Sequence, residues 1–149
     1  MFHGQFDHAI DDKGRVSIPS RFREVLAREG HDRLYITNFF IDRERCLELF
    51  PPNEWEKVVA KFSGSGAMDR EAQLFETFYL GGAHEVPVDK QGRILIPPKL
   101  RQFARMERDV TFSAKHNRFE LWDKATLDRI LKTVEESMQN PEFLAKINI

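Results

Sequence analysis

Hydrophobic and polar residues alternate in several short segments of this chain, whereas other segments repeat their apolar residues at helical spacing. Alternation with a period of two predicts half-buried strands, and apolar spacing of i, i+3, i+4 and i+7 predicts an amphipathic helix. Strands are predicted over 2–10 with an interruption at Gly4, and over 15–18, 34–41, 46–50, 93–96, 110–113 and 118–122, with a further strand ending at Val88. Helices are predicted after Pro19, from Pro52, over about 69–79, after Pro97 and from the N-cap residue Asp123.

This order of predicted elements occurs twice because the sequence itself is duplicated. The segment DDKGRVSIPSRFR at 11–23 returns as DKQGRILIPPKLR at 89–101, and LELF at 47–50 returns as FELW at 119–122. Duplicated units commonly build a pseudo-symmetric molecule, which suits a symmetric or repeated partner.

Neither copy has strands long enough to bury a sheet of its own, so we expect the two copies to pack against each other. The predicted organisation is a first repeat over 1–62, a linker and connecting helix over 63–83, a second repeat over 84–139 and a loose C-terminal tail over 140–149. The linker is expected to be flexible at SGSG, residues 63–66. The predicted fold is α+β, with the duplicated units closing into a pseudo-twofold β-barrel core that carries peripheral helices.

Residues for catalysis or metal binding form no coherent pattern in the sequence. The single cysteine, Cys46, excludes a disulfide framework and a cysteine zinc cluster, and we expect it to be buried. The five histidines lack metal-ligand spacing, and neither a phosphate-binding Gly-rich loop nor a nucleophile motif occurs. No catalytic residue, metal or cofactor is therefore predicted. Because no signal-peptide pattern or membrane-spanning apolar run is found, a cytoplasmic location without a membrane partner is expected.

Basic residues are concentrated in the repeated motifs, although the net charge of the chain is −1. Residues 11–23 contain four basic and two acidic residues, and residues 89–105 contain five basic residues and one acidic residue. A local positive potential attracts anions even when the total charge is slightly negative.

Each repeated motif contains the pattern Asp-x-x-x-Arg, with a glycine directly before the arginine. We expect the carboxylate to cap backbone N–H groups of a hairpin turn and to pair with the arginine, while the glycine adopts a positive φ. The turn-stabilising residues predicted in this way are Asp11, Gly14, Asp89 and Gly92. Lys13 and Lys90 lie inside the turns without a structural need for a cation. The two turns therefore form a pair of basic prongs for phosphates and groove edges.

Two pairs of matched positions add to this picture. Leu95 replaces Ser17 on the outward phase of a predicted strand, which implies that a helix of the same chain or another subunit covers it. Glu48 and Glu120 also match, and their place in alternating strands predicts the outer face and pairing with arginines rather than catalysis.

Taken together, these motifs resemble the MraZ family, whose members are built from two tandem AbrB-like (swapped-hairpin) units. The resemblance covers about residues 1–140. It rests on the opening MFHGQFDHAIDDKGRVSIPSRFR, on LGGA at 80–83, on DKQGRILIPPKLR and on RFELW at 118–122. Two Asp-x-x-x-Arg motifs at this separation, each followed by Ile-Pro, are specific in combination.

The resemblance implies a sequence-specific DNA-binding transcriptional regulator, usually a repressor, of the division and cell wall gene cluster including its own gene. It also implies a nucleoid-associated, ring-shaped homo-oligomer on double-stranded DNA with short, guanine-rich direct repeats. The implied DNA contacts are Lys13, Arg15, Lys90 and Arg93, with Arg21, Arg23, Lys99 and Arg101 as lesser candidates. The alternative is a ring-forming protein–protein adaptor whose basic turns are only solvated.

Overall fold

The computed structural model describes residues 1–63 and 69–147, which contain eight strands and six helices. The first repeat contains β1 (Gln5–Ala9), β2 (Arg15–Ser17), α1 (Ser20–Arg28), β3 (Arg33–Ile41), β4 (Glu44–Phe50) and α2 (Pro52–Ser63). Helix α3 (Arg70–Tyr79) precedes the second repeat. That repeat contains β5 (His84–Pro87), β6 (Arg93–Leu95), α4 (Pro98–Phe103), β7 (Asp109–Ala114), β8 (Phe119–Asp123) and α5 (Lys124–Ser137), and α6 (Pro141–Lys146) follows it.

The predicted elements are present, with differences at the ends of the chain. Strand β1 begins at Gln5 rather than at residue 2, because Gly4 adopts a φ of 95° that interrupts an extended backbone. The tail that was expected to be loose contains α6, whose first turn is capped by the side chain of Asn140. In the SGSG segment that was predicted to be flexible, Ser63 is the last residue of α2, and residues 64–66 lie outside the described residues.

Several strands of one repeat pair with strands of the other repeat. The six-stranded antiparallel sheet has the order β1-β7-β8-β4-β3-β5, and β2 pairs with β6 in a separate two-stranded ribbon. The first strand of each repeat thus pairs with a strand of the other repeat, β1 with β7 and β5 with β3. The predicted hairpin turn between β1 and β2 is present, since the N–H of Asp11 donates to the carbonyl of Arg15 at 2.9 Å, but the two strands do not pair with each other beyond it. Alternation in a strand specifies which face is buried but not which strand is the partner.

The strand order reads the same in both directions when the two repeats are exchanged, so the chain has an internal pseudo-twofold axis. This axis passes between β4 and β8 in the sheet and between β2 and β6 in the ribbon, where Val16 faces Ile94. The main sheet is open at β1 and β5, so the predicted closure into a barrel is not confirmed. The α+β class is confirmed.

The main hydrophobic core lies between the inner face of the sheet, helices α1 and α4, and the ribbon. The ribbon and the residues after it contribute Val16, Ile18, Ile94 and Ile96, all at most 1% exposed. Burial of a side chain of this size contributes roughly 1.5–3 kcal/mol, so the ribbon is firmly attached to the sheet. Two smaller clusters lie on the opposite face of the sheet, one beneath α5 and one beneath α2 and α3.

Glu48 and Glu120 lie side by side near the axis on that opposite face. The expectation that they are outward-facing is wrong, because they are only 2% and 3% exposed. The predicted pairing with an arginine holds for Glu48, which accepts from Nε of Arg118 at 3.0 Å and from the hydroxyl of Tyr79. Glu120 accepts from Nε1 of Trp122 at 3.0 Å, and its pKa is raised chiefly by burial.

Candidate nucleic-acid interface

The first basic turn is organised by the carboxylate of Asp11. Its Oδ1 atom accepts from the backbone N–H groups of Lys13 and Arg15, both at 2.9 Å. Its Oδ2 atom accepts from Nε of Arg15 at 2.8 Å. Gly14 closes the turn at a φ of 84° and donates its N–H to the carbonyl of Asp11 at 3.0 Å. The predicted capping role of Asp11 and the positive φ of Gly14 are both observed.

The second basic turn repeats this geometry around Asp89. Oδ1 accepts from the backbone N–H groups of Gln91 and Arg93, both at 2.9 Å, and Oδ2 accepts from Nε of Arg93 at 3.1 Å. Gly92 has a φ of 78°. In each turn the backbone hydrogen bond from the arginine is the largest cause that lowers the pKa of the aspartate. Both carboxylates therefore remain charged at neutral pH and hold the arginine beside them.

The lysines occupy different positions in the two turns. Lys13 lies directly before Gly14, whereas Lys90 lies two residues before Gly92, where the first turn has Asp12. Both lysines are exposed. The two turns are thus alike in backbone and in the Asp–Arg pair, but their lysines lie at different positions relative to the glycine.

Each turn is also fixed to the opposite repeat. The N–H of Ile96 donates to the carbonyl of Gly14 at 3.0 Å, and the N–H of Ile18 donates to the carbonyl of Gly92 at 2.8 Å. Because these bonds flank the β2–β6 ladder, the turns lie at its two ends. The prongs therefore project from a rigid base instead of from a flexible loop.

The exposed face of the ribbon carries the two predicted arginines. Arg15 pairs with Leu95 and Ser17 pairs with Arg93, while Val16 and Ile94 between them point into the core. Since side chains alternate along a strand, the four outer residues share one face. We call this face, together with Lys13 and Lys90, the basic ribbon face.

Leu95 is 53% exposed within the basic ribbon face. Of the two coverings predicted for it, a helix of the same chain is therefore wrong for the described residues. Coverage by another subunit stays a prediction.

Two of the lesser candidates make contacts inside the chain. Arg101 donates from Nε to the carbonyl of Met106 at 3.3 Å and from Nη2 to the carbonyl of Glu107 at 2.6 Å. Arg23 donates from Nη1 to the carbonyl of Gln91 at 3.3 Å and lies over the second turn. Arg21 on α1 and Lys99 on α4 are exposed.

Chemistry other than anion binding is poorly supported in the described parts of the chain. No group of three or more metal-ligating side chains occurs there, and Cys46 is buried, which raises the pKa of its thiol. None of the described helices is long and apolar enough to cross a membrane.

Comparison with known proteins gives the chain its family. A family model described as "MraZ protein, putative antitoxin-like" matches residues 1–78 and again residues 79–146. The chain belongs to the MraZ family. The two matches follow the duplication, and the resemblance seen in the sequence motifs is confirmed.

Relatives match over nearly their whole length. A protein named Transcriptional regulator MraZ from Syntrophobacter fumaroxidans is 40% identical over 145 residues, which cover 97% of this chain and 94% of the relative. Proteins of the same name from Shewanella oneidensis and Caldanaerobacter subterraneus subsp. tengcongensis are each 37% identical, with both chains fully covered. These names describe transcriptional regulators and not enzymes, as the sequence predicted.

Proposed function

We propose that this MraZ-family chain represses transcription by binding double-stranded DNA sequence-specifically through the basic ribbon face. The observation that carries the proposal is the pair of Asp-anchored turns at the two ends of a rigid, two-stranded ribbon. The names of the relatives support the regulatory role.

A two-stranded antiparallel ribbon fits into the major groove of B-DNA. There the guanidinium groups of Arg15 and Arg93 can donate to O6 and N7 of guanine, which suits a guanine-rich operator. Each arginine is held at Nε by its aspartate, so less side-chain freedom is lost when DNA binds. Lys13 and Lys90 are placed to contact phosphates, which fix position and contribute salt-dependent affinity.

The contacts of Arg23 and Arg101 suggest supporting roles for these lesser candidates. Arg101 binds carbonyls after α4, and Arg23 binds the second turn, so both hold the interface in shape. Arg21 and Lys99 remain candidates for phosphate contacts at its rim.

Assembly into a ring of identical chains is part of the proposal. Large apolar side chains are exposed on α3, α5 and α6, among them Leu74 at 53%, Phe75 at 41%, Val134 at 39% and Leu144 at 44%. In the proposed ring these side chains are the candidates for contacts between subunits, since such contacts bury exposed apolar surface. A ring that places several basic ribbon faces on successive direct repeats gains affinity through effective concentration, although each face makes few contacts.

A gel-shift experiment tests the proposal with DNA from upstream of the chain's own gene and of the division and cell wall cluster. The expected result is binding that weakens steeply between low and high salt and strengthens with one, two and three repeats. Insertion of five base pairs between repeats, about half a helical turn, should remove that gain. Equal binding to a scrambled duplex of the same composition would favour the adaptor alternative instead.

A further inference from the structure

The basic ribbon face keeps the pseudo-twofold relation at its two arginines, but its lysines occupy non-equivalent positions and its two remaining residues, Ser17 and Leu95, differ. Exchange of the two repeats superimposes Arg15 on Arg93, whereas it superimposes Ser17 on Leu95. Leu95 is the large apolar side chain of this face, and it is 53% exposed.

The leucine lies at one end of the ribbon. It is the cross-strand neighbour of Arg15, and its Cδ1 atom would lie 3.6 Å from a Cβ atom placed on Gly14. It therefore sits against the first turn, beside the arginine that Asp11 holds. At the other end, Ser17 takes the equivalent place beside Arg93.

A duplex docked on this face would cover Leu95, and removal of this apolar side chain from water is most favourable where it meets another apolar group that also loses contact with water. In the major groove of DNA that group is the C5-methyl of thymine, the apolar contact by which a thymine is distinguished there. The leucine lies next to the arginine suited to guanine, so the two side chains match neighbouring bases.

We propose that Leu95 contacts the methyl group of a thymine adjacent to the base bound by Arg15, and so gives the pseudo-symmetric ribbon a direction on DNA. This inference rests on the proposed function. Because the Ser17 end lacks an apolar side chain, a protomer turned end for end would lose the contact. Every protomer then binds in the same orientation, which favours direct repeats over inverted repeats.

The test replaces thymines of the operator one at a time by deoxyuridine, which removes only the methyl group. For the wild-type chain, dissociation constants should rise about fourfold at one thymine per repeat, the equivalent of one buried methyl group. Leu95→Ser should bind the natural operator more weakly and should show no further loss with deoxyuridine at that position. Lys132→Ala, an exposed position on α5 outside the basic ribbon face, is the control, and it should keep the full deoxyuridine effect.

Other outcomes separate this inference from the function beneath it. Two results would overturn the thymine contact and leave the repressor proposal standing. In the first, the wild type binds specifically but its dissociation constant is unchanged by deoxyuridine at every position. In the second, the deoxyuridine effect persists in Leu95→Ser. A smaller mass of Leu95→Ser by light scattering would also overturn the thymine contact, because the leucine would then lie between subunits. Failure of the wild type to bind its operator specifically would remove the proposed function itself. An unchanged melting curve of Leu95→Ser shows that the variant is folded.

Discussion

Three glycines with positive φ provide a graded test of how the basic turns are built. Gly14, Gly92 and Gly30 have φ values of 84°, 78° and 75°, so alanine at any of them is forced into the left-handed region. That conformation costs about 1–2 kcal/mol for a residue with a Cβ atom. The surroundings differ, because nothing lies within 4 Å of a Cβ at Gly30 and the nearest atoms at Gly14 are 3.6 Å away.

At Gly92 the added Cβ atom would overlap Cδ of Arg23 and lie 2.8 Å from its Nε atom. Arg23 must then swing away and lose its hydrogen bond to the carbonyl of Gln91, a further cost of about 0.5–1.5 kcal/mol. We therefore expect Gly92→Ala to unfold at a temperature roughly 1–6 °C below that of Gly14→Ala, with Gly30→Ala close to Gly14→Ala.

Thermal denaturation at one fixed protein concentration measures the series, since assembly makes melting temperatures depend on concentration. The decisive arm repeats Gly92→Ala in an Arg23→Ala background, where the overlap is gone and only the cost of the positive φ should remain. If Gly92→Ala is no worse than Gly14→Ala, or if its extra cost survives without the arginine, Arg23 does not pack on the second turn as described.

Three further predictions concern binding, assembly and pH. Arg15→Ala should weaken operator binding by about 5- to 150-fold, because one bidentate contact to guanine is lost. Lys132→Ala on α5 is the control and should bind like wild type in the same gel shift. Equal binding by both variants would exclude Arg15 from the interface. Light scattering should report a mass above the 17.5 kDa of one chain. Deletion of 141–149 should lower that mass if α6 contributes to the ring. A monomeric wild type would refute the ring. Because the pKa values of Asp11 and Asp89 are lowered from 3.8, the stability they contribute should be present above about pH 4 and lost as the pH falls further. Melting curves of the Asp11→Asn variant should accordingly depend less on pH in that range, and an unchanged dependence would contradict the role of the carboxylate.

The sequence predicted the local structure well because the local rules agree. The alternation of Arg15, Val16 and Ser17 identifies a strand whose middle residue is buried, and the prolines that follow the ribbon strands mark the starts of α1 and α4. The spacing of Asp11 from Arg15 is enough to predict that the carboxylate caps the turn, and its hydrogen bond to the N–H of Arg15 agrees. These features depend on neighbouring residues only.

What the sequence did not predict depends on distant parts of the chain. Alternation could not show that β1 pairs with β7 instead of with β2, because it carries no information about partners. For the same reason Glu48 and Glu120 were expected outside, although helices over the second face of the sheet bury them. A charged residue in an alternating strand can be buried when partners such as Arg118 and Tyr79 satisfy its oxygens.

The exchange of strands between the repeats also bears on how the interface is held. Neither repeat contains a complete ribbon, since β2 and β6 come from different copies and each turn is hydrogen-bonded to an isoleucine of the other. The distance between the two Asp-anchored arginines is therefore fixed by the register of β2 against β6, which the core beneath supports, and not by a short loop. Val16 and Ile94 are buried between the two arginines, so we expect a substitution at either position to disturb both arginines, although neither side chain reaches the surface. Duplication thus gives this chain two Asp-anchored arginines at a constant spacing, and in our proposal the difference between Ser17 and Leu95 gives the ribbon a direction on DNA.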